Sequence, residues 1–301
     1  MKSIEEIIAS AKSGGKKRIA VAAAHEQSAL EAVFDAKAEG LAEPILIGDA
    51  EIIKSMAAEL GASLEGMAII DEKDFAKAAM EAVALVKAGE ADILMKGVLD
   101  TSILLRAVLN KENGLNTGRL TSHVALMETR FYHKLFIVSD AAINIAPDMQ
   151  GKLDIINNAV IVSRALGVEK PKVALLAAVE KVNPEKMPCT AEAAIITQMN
   201  RRGQIKDCII DGPLALDNAI SAESAKIKKI VSEVAGDADI LIAPDIEAGN
   251  ILYKALLDLG GARGAGIIAG AAKPIVLTSR TDSRDTKMAS IALAALSCQN
   301  F

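Results

Sequence analysis

The run Lys273-Pro274-Ile275-Val276-Leu277-Thr278-Ser279-Arg280-Thr281-Asp282-Ser283-Arg284-Asp285-Thr286-Lys287 changes character twice. Residues 274–277 are apolar and of strand type, a polar turn follows, and Met288, Ile291, Ala292 and Ala295 then recur at helical spacing. In an open α/β sheet, ligands bind beyond the carboxyl ends of the strands. A strand that ends in hydroxyls, arginines and aspartates and feeds a helix has the layout of such a site. The helix start would add free N–H groups and a partial positive charge, both suited to phosphate. The same residues also read as a helix cap, with Asp282, Ser283 or Asp285 satisfying the first turn and Arg280 and Arg284 in solvent.

Outward from this run the chain repeats one grammar. Strand-type runs at 18–24, 44–47, 67–70 and 92–95 alternate with helical patterns at 3–12, 27–39, 50–60 and 73–87. Residues 110–130 are polar and without a clear period, and so long a connection inside a compact domain is usually functional. A strand at 135–138 ends in Ser139-Asp140, Ala146-Pro147 breaks the chain near a domain boundary, and 148–166 is a long helix. Further strands are expected at 172–178, 208–210 and 240–243, with helices near 190–200, 217–235 and 247–258. Such alternation is the signature of parallel, wound sheets in an α/β protein.

Composition agrees. The chain has 301 residues and is 51% hydrophobic, yet holds two Tyr, five Phe and no Trp, so Ala, Val, Ile and Leu must fill the core. That is the usual filling of parallel sheets covered on both faces. Missing aromatic platforms argue against single-stranded nucleic acid, and a net charge of −5 argues against a phosphate-backbone binder. Small anionic ligands are not excluded, because the local field decides for them. Cys189, Cys208 and Cys298 are widely spaced, which points to free thiols in a reducing cytosol. The N-terminus carries Glu5 and Glu6 where a signal peptide needs an apolar core, and no apolar run approaches the ~20 residues of a membrane span, so a cytoplasmic protein with no membrane partner is expected.

Nucleotide-binding fingerprints are missing: no G-x-G-x-x-G follows a strand and no phosphate-loop motif is present. The glycine-rich run 260–266 follows a helix and reads as a flexible connection. No pair of histidines has metal-ligand spacing; His25 and His133 read as structural, while His123 lies in the polar loop and stays open. Residues 211–217 combine a strand end, a turn at Gly212-Pro213 and a helix start capped by Asp217. In 244–250, Gly249 and Asn250 are poor helix formers in a helix's first turns, which favours function or tight packing over propensity.

Together these segments resemble the phosphate acetyl/butyryltransferase family. The matching stretches are Met95-Lys96-Gly97 with Asp100-Thr101, Thr117-Gly118-Arg119 through Ser122-His123, Asp140 with Asn144, and residues 211–217, 244–253 and 273–287. The resemblance implies two wound α/β domains with a central cleft, of the isocitrate/isopropylmalate dehydrogenase type. The family's final helix returns to the first domain, giving domains of 1–140 plus 283–301 and of 141–282. It also implies a homo-oligomer, dimer or higher, with no bound cofactor and no metal. Coenzyme A would be substrate and product, in reversible butanoyl transfer between CoA and inorganic phosphate.

By the same resemblance Ser279 polarises the acyl carbonyl, Arg280 binds phosphate, and an aspartate downstream is the base. The acetyltransferase branch carries its acid seven positions after the serine. The seventh residue here is Thr286; Asp285, one residue earlier and about 100° round a helix, is the choice, with Asp282 behind it. Substrate contacts are expected from Lys96, Arg119, Ser122, His123, Asp140, Asn144, Asp245 and Asn250, with Arg119 or Lys96 facing a ligand phosphate. Three alternatives remain: phosphate acetyltransferase, a metal- or NAD-dependent dehydrogenase on the same scaffold, and a non-catalytic CoA-binding protein.

Overall fold

Apolar runs and helical stripes alternate in the computed structural model much as they do along the chain, over the described residues 1–277 and 282–301. The first part runs α1 (Ile4–Ser13), β1 (Lys17–Ala22), α2 (Gln27–Ala38), β2 (Ala42–Gly48), α3 (Ala50–Glu59), β3 (Ala68–Asp71), α4 (Phe75–Lys87), β4 (Ile93–Lys96) and α5 (Thr101–Val108). Then come β5 (Ser122–Glu128), β6 (Phe136–Ser139), α6 (Met149–Ala165), β7 (Lys172–Leu176), α7 (Pro188–Arg201), β8 (Ile209–Leu214), α8 (Leu216–Ile220), α9 (Ala222–Ile227), β9 (Ile240–Ile242) and α10 (Ile246–Lys254). A π-helical turn, Ala255–Leu259, prolongs α10, and β10 (Arg263–Ala269), β11 (Ile275–Val276) and α11 (Arg284–Ser297) end the chain.

Two compact α/β units result, one of Ile4–Arg119 with Ala265–Phe301, the other of Met1–Ser3 with Leu120–Gly264. These bounds lie elsewhere than the 140 and 282 of the sequence reading. In the first unit the strands run β3-β2-β1-β4-β11-β10, parallel except β10. Residues 19–24 are wholly buried, as a strand covered on both faces requires. Asp49 and Asp74 cap α3 and α4 by accepting from N–H groups of their first turns. Helix α11 is Ala- and Ser-rich and buried along most of its length, packing on α1 and α2. The second unit has the order β5-β6-β9-β7-β8, parallel except β5. Met127, Phe136, Val138, Leu214, Val234 and Leu241 form its core.

Four sequence expectations fail for identifiable reasons. The polar connection 110–130 contains β5, whose residues are buried on both faces and so show no alternation. The glycine-rich run 260–266 leads into β10, a buried strand of small residues. The helix expected over 217–235 breaks into α8 and α9 at Ser221, whose hydroxyl caps α9 by accepting from Ser224 N–H at 3.2 Å, and Lys229 leaves the helix at φ 57°. Finally, Gly212-Pro213 is no turn but lies within β8, where a Cβ on Gly212 would come 2.9 Å from the Leu175 carbonyl. Ala215, not Asp217, occupies the N-cap position of α8, with no side-chain cap; Asp217 instead accepts from Ser224 Oγ at 2.6 Å.

Candidate active site

In the first unit β1, β4 and β11 lie side by side and parallel, so their carboxyl ends open on one edge. Beyond β1 the chain passes Glu26 and Ser28 at the start of α2. Strand β4 ends at Lys96, and β11 leads towards Asp282 and α11. Gly97 is required here, because a Cβ would stand 2.0 Å from the Ala23 carbonyl. Lys96 is buried, its Nζ donating to the carbonyls of Gly97 at 3.0 Å and Leu99 at 3.2 Å. Ser283 caps α11 by accepting from Thr286 N–H at 3.1 Å. Asp285 is exposed in the first turn and Asp282 half-buried. Ser279 and Arg280 lie outside the described residues. Arg284 is no bare solvated arginine, since its guanidinium pairs through two nitrogens with Asp35. Arg119 is half-buried. It closes a segment anchored where Thr117 Oγ1 donates to the Gly270 carbonyl at 2.5 Å.

The second unit gathers the remaining expected residues at the carboxyl ends of β6 and β9. Because β5 runs antiparallel to β6, its start lies beside the end of β6. Ser122 is buried and accepts from Asn158 Nδ2 at 2.9 Å, while Ser139 Oγ donates to the His123 carbonyl at 2.7 Å. The His123 ring stands edge-on to Tyr253, 5.6 Å between centroids. Asp140, buried, organises the loop after β6: it accepts from the N–H groups of Ala142 at 2.8 Å, Ile143 at 3.1 Å and Asn144 at 3.1 Å, and from Asn144 Nδ2 at 2.6 Å. Asn144 Nδ2 also reaches the Thr121 carbonyl at 2.9 Å. Asp245 caps α10 through Ala248 N–H at 2.9 Å, and Asn250 Nδ2 donates to the Ala141 carbonyl at 2.8 Å. Gly249 packs so closely that a Cβ would meet the Asp140 carbonyl at 2.1 Å. Tight packing thus explains the poor helix formers of α10.

Two features escaped the sequence reading. Lys287 is 1% exposed in the first unit, although the pattern held a clue: position 287 lies four before Ile291, on the apolar stripe of α11. Lys152, 7% exposed in the second unit, is ion-paired with Glu192. The thiols are poorly suited to nucleophilic attack. Burial raises Cys189 and pushes Cys208 and Cys298 up to about 11, which leaves little thiolate near neutrality. His25 Nδ1 accepts from Asp49 N–H at 3.4 Å, and burial lowers its pKa against the pull of Asp49.

Polar strand ends on two wound units define an α/β enzyme architecture that also occurs in 4-hydroxythreonine-4-phosphate dehydrogenase of Klebsiella pneumoniae. That structure covers 94% of this chain and 100% of its own, with TM-score 0.57 at 16% identity, a likeness of fold alone. The chain belongs to the phosphate acetyl/butaryl transferase family, whose model matches residues 3–81 and 73–295. It is 49% identical to a phosphate butyryltransferase of Clostridium acetobutylicum over 100% of this chain and 99% of that protein. It is 47% identical to a phosphate acetyltransferase of Thermotoga maritima, over 97% of this chain and 99% of that one. A branched-chain phosphotransacylase from Enterococcus faecalis V583 superposes with TM-score 0.84 at 35% identity, covering 94% of this chain and 99% of its own.

Proposed function

We propose that the chain catalyses reversible butanoyl transfer between coenzyme A and inorganic phosphate: butanoyl-CoA plus phosphate gives butanoyl phosphate plus CoA. The observation that carries this reading is the 49% identity, end to end, with a phosphate butyryltransferase. In the direction that consumes the acyl phosphate, the CoA thiol must lose a proton, because a free thiol with pKa about 8.5 is mostly protonated at neutral pH. Asp285, or Asp282 behind it, takes that proton. The thiolate attacks the acyl carbon directly in a ternary complex, the carbonyl oxygen becomes negative, and Ser279 donates to it. The carbon–oxygen bond to phosphate then breaks, the proton held by the aspartate passes to the phosphate as it leaves, and Arg280 holds the resulting dianion with its fork of donors.

Lys96, Arg119, Ser122, His123, Asp140, Asn144, Asp245 and Asn250 shape the surroundings of the substrates. Asp140, Asn144, Asp245 and Asn250 would do so through the loop and helix start that they brace. The two units serve as the enzyme's domains, the first closed by α11. The enzyme is assigned to the cytoplasm as a homo-oligomer, dimer or higher, acting on CoA without a bound cofactor.

Because one or two methylenes are worth only about 1–3 kcal/mol, acyl preference is measured directly. Initial rates with acetyl-, butanoyl- and isobutanoyl-CoA at saturating phosphate should favour butanoyl-CoA. A clear preference for acetyl-CoA would make the enzyme a phosphate acetyltransferase.

A further inference from the structure

Among the described residues, Lys287 is the bulkiest of the fully buried side chains, at 1% exposure. A buried ammonium is costly unless its donors are satisfied. What its Nζ bonds therefore matters more than how its side chain packs. Its Nζ donates to Ser28 Oγ at 2.7 Å and to the backbone carbonyl of Asp282 at 3.2 Å, and stands 3.9 Å from Glu26 Oε1. Ser28 in turn donates to Glu26 Oε1 at 2.5 Å. One ammonium thus ties the turn before α11 to the first residues of α2. Asp282 is the nearest described residue after Ser279, Arg280 and Thr281.

We propose that Lys287 is a positioning residue: through the Asp282 carbonyl on one side and Ser28 and Glu26 on the other, it fixes the end of the segment that carries Ser279 and Arg280. This rests on the acyl-transfer reading for its consequence, though not for its geometry. Misplacing a reacting group by about 1 Å can cost about 100-fold in rate, so loosening this anchor should act on turnover. Arg284 with Asp35 supplies a second tie between α2 and α11, which keeps the helix docked when the lysine is removed. The loss should therefore be local.

The test compares Lys287→Met and Ser28→Ala with wild type in three readouts: thermal melting, kcat against KM, and amide hydrogen exchange over residues 282–286. Lys287→Met keeps the length of the side chain and removes the donors; because Ser28 and Glu26 lose that donor, it should melt below wild type while remaining folded. Its kcat should fall about 10-fold to 100-fold, with KM for phosphate and butanoyl-CoA little changed. Ser28→Ala should lose less, and the double variant no more than Lys287→Met, because both act through one contact. Exchange over 282–286 should quicken in both. Wild-type kcat and exchange in either variant would overturn the proposal. If Lys287→Met folds poorly, Ser28→Ala carries the same test. Should the wild-type protein show no phosphate-dependent thiol release, the acyl-transfer reading fails; exchange over 282–286 then decides the positioning claim alone.

Discussion

Arg280 and Arg284 stand four residues apart in the chain, and their chemistry separates them. Arg284 spends both arms of its fork on Asp35, whereas the proposed mechanism gives Arg280 the phosphate dianion. Lysine keeps the charge and loses the bidentate geometry. Arg280→Lys should therefore cut turnover with phosphate severely, and with arsenate in parallel, while the protein remains folded. Arg284→Lys should leave the rate near normal and the melting point little changed, because an ion pair this exposed adds little to stability. Steady-state rates of the two variants check this, and the reverse pattern would transfer the phosphate site to Arg284. Ser279 and Arg280 stand out in the sequence as polar residues that follow an apolar run, and they lie outside the described residues. Asp140 and Asn144 could be picked out too, but not the way their side chains face inward to brace a loop, since that depends on where Thr121 and the next three N–H groups fall.

Helix α10 shows how an element's local rules yield to its neighbours. On an open helix, Gly→Ala gains about 1 kcal/mol. At Gly249 the new Cβ would lie 2.1 Å from the Asp140 carbonyl, a backbone atom in a loop already held by four hydrogen bonds. Overpacking of that kind costs about 1–3 kcal/mol, so strain wins, and Gly249→Ala should lower the denaturation midpoint. An unchanged or raised midpoint would mean that α10 does not dock on this loop. Long amphipathic helices such as α4 and α6 were legible because periodicity and Asp caps agree. Strands β5 and β10 were not, because burial on both faces removes alternation, and small residues in β10 mimic a linker. The break between α8 and α9 was hidden as well, since Ser221 can sit within a helix or cap one.

At the scale of the whole molecule, the alternation of strand and helix and the aliphatic composition made the α/β architecture readable, whereas the division into compact units depends on contacts that no local pattern carries. Charge clusters also appear only when the chain is folded. Asp237 meets Lys172 at 2.6 Å, Lys134 at 2.9 Å and His133 at 2.8 Å. Burial works to raise its pKa, but hydrogen bonds from Lys172 and Lys134, the Lys134 charge and the His133 bond hold the carboxyl well below the usual range. A carboxylate depressed by folding adds stability that is complete above its unfolded pKa, about 4, and lost as pH falls through its folded value. Acid unfolding followed below about pH 4 should therefore show a smaller loss in Asp237→Asn than in wild type. Salt should narrow the gap, because the side chain is 41% exposed. Equal acid sensitivity in the two proteins would remove the cluster from the stability balance.

The most direct measurement is the release of free thiol from butanoyl-CoA by the purified chain, with and without inorganic phosphate. Acyl transfer to phosphate requires that thiol appear only when phosphate is present, that butanoyl phosphate accumulate in equal amount, and that added CoA drive the reaction back. CoA binding with no phosphate-dependent thiol release, or release at the same rate without phosphate, would contradict it.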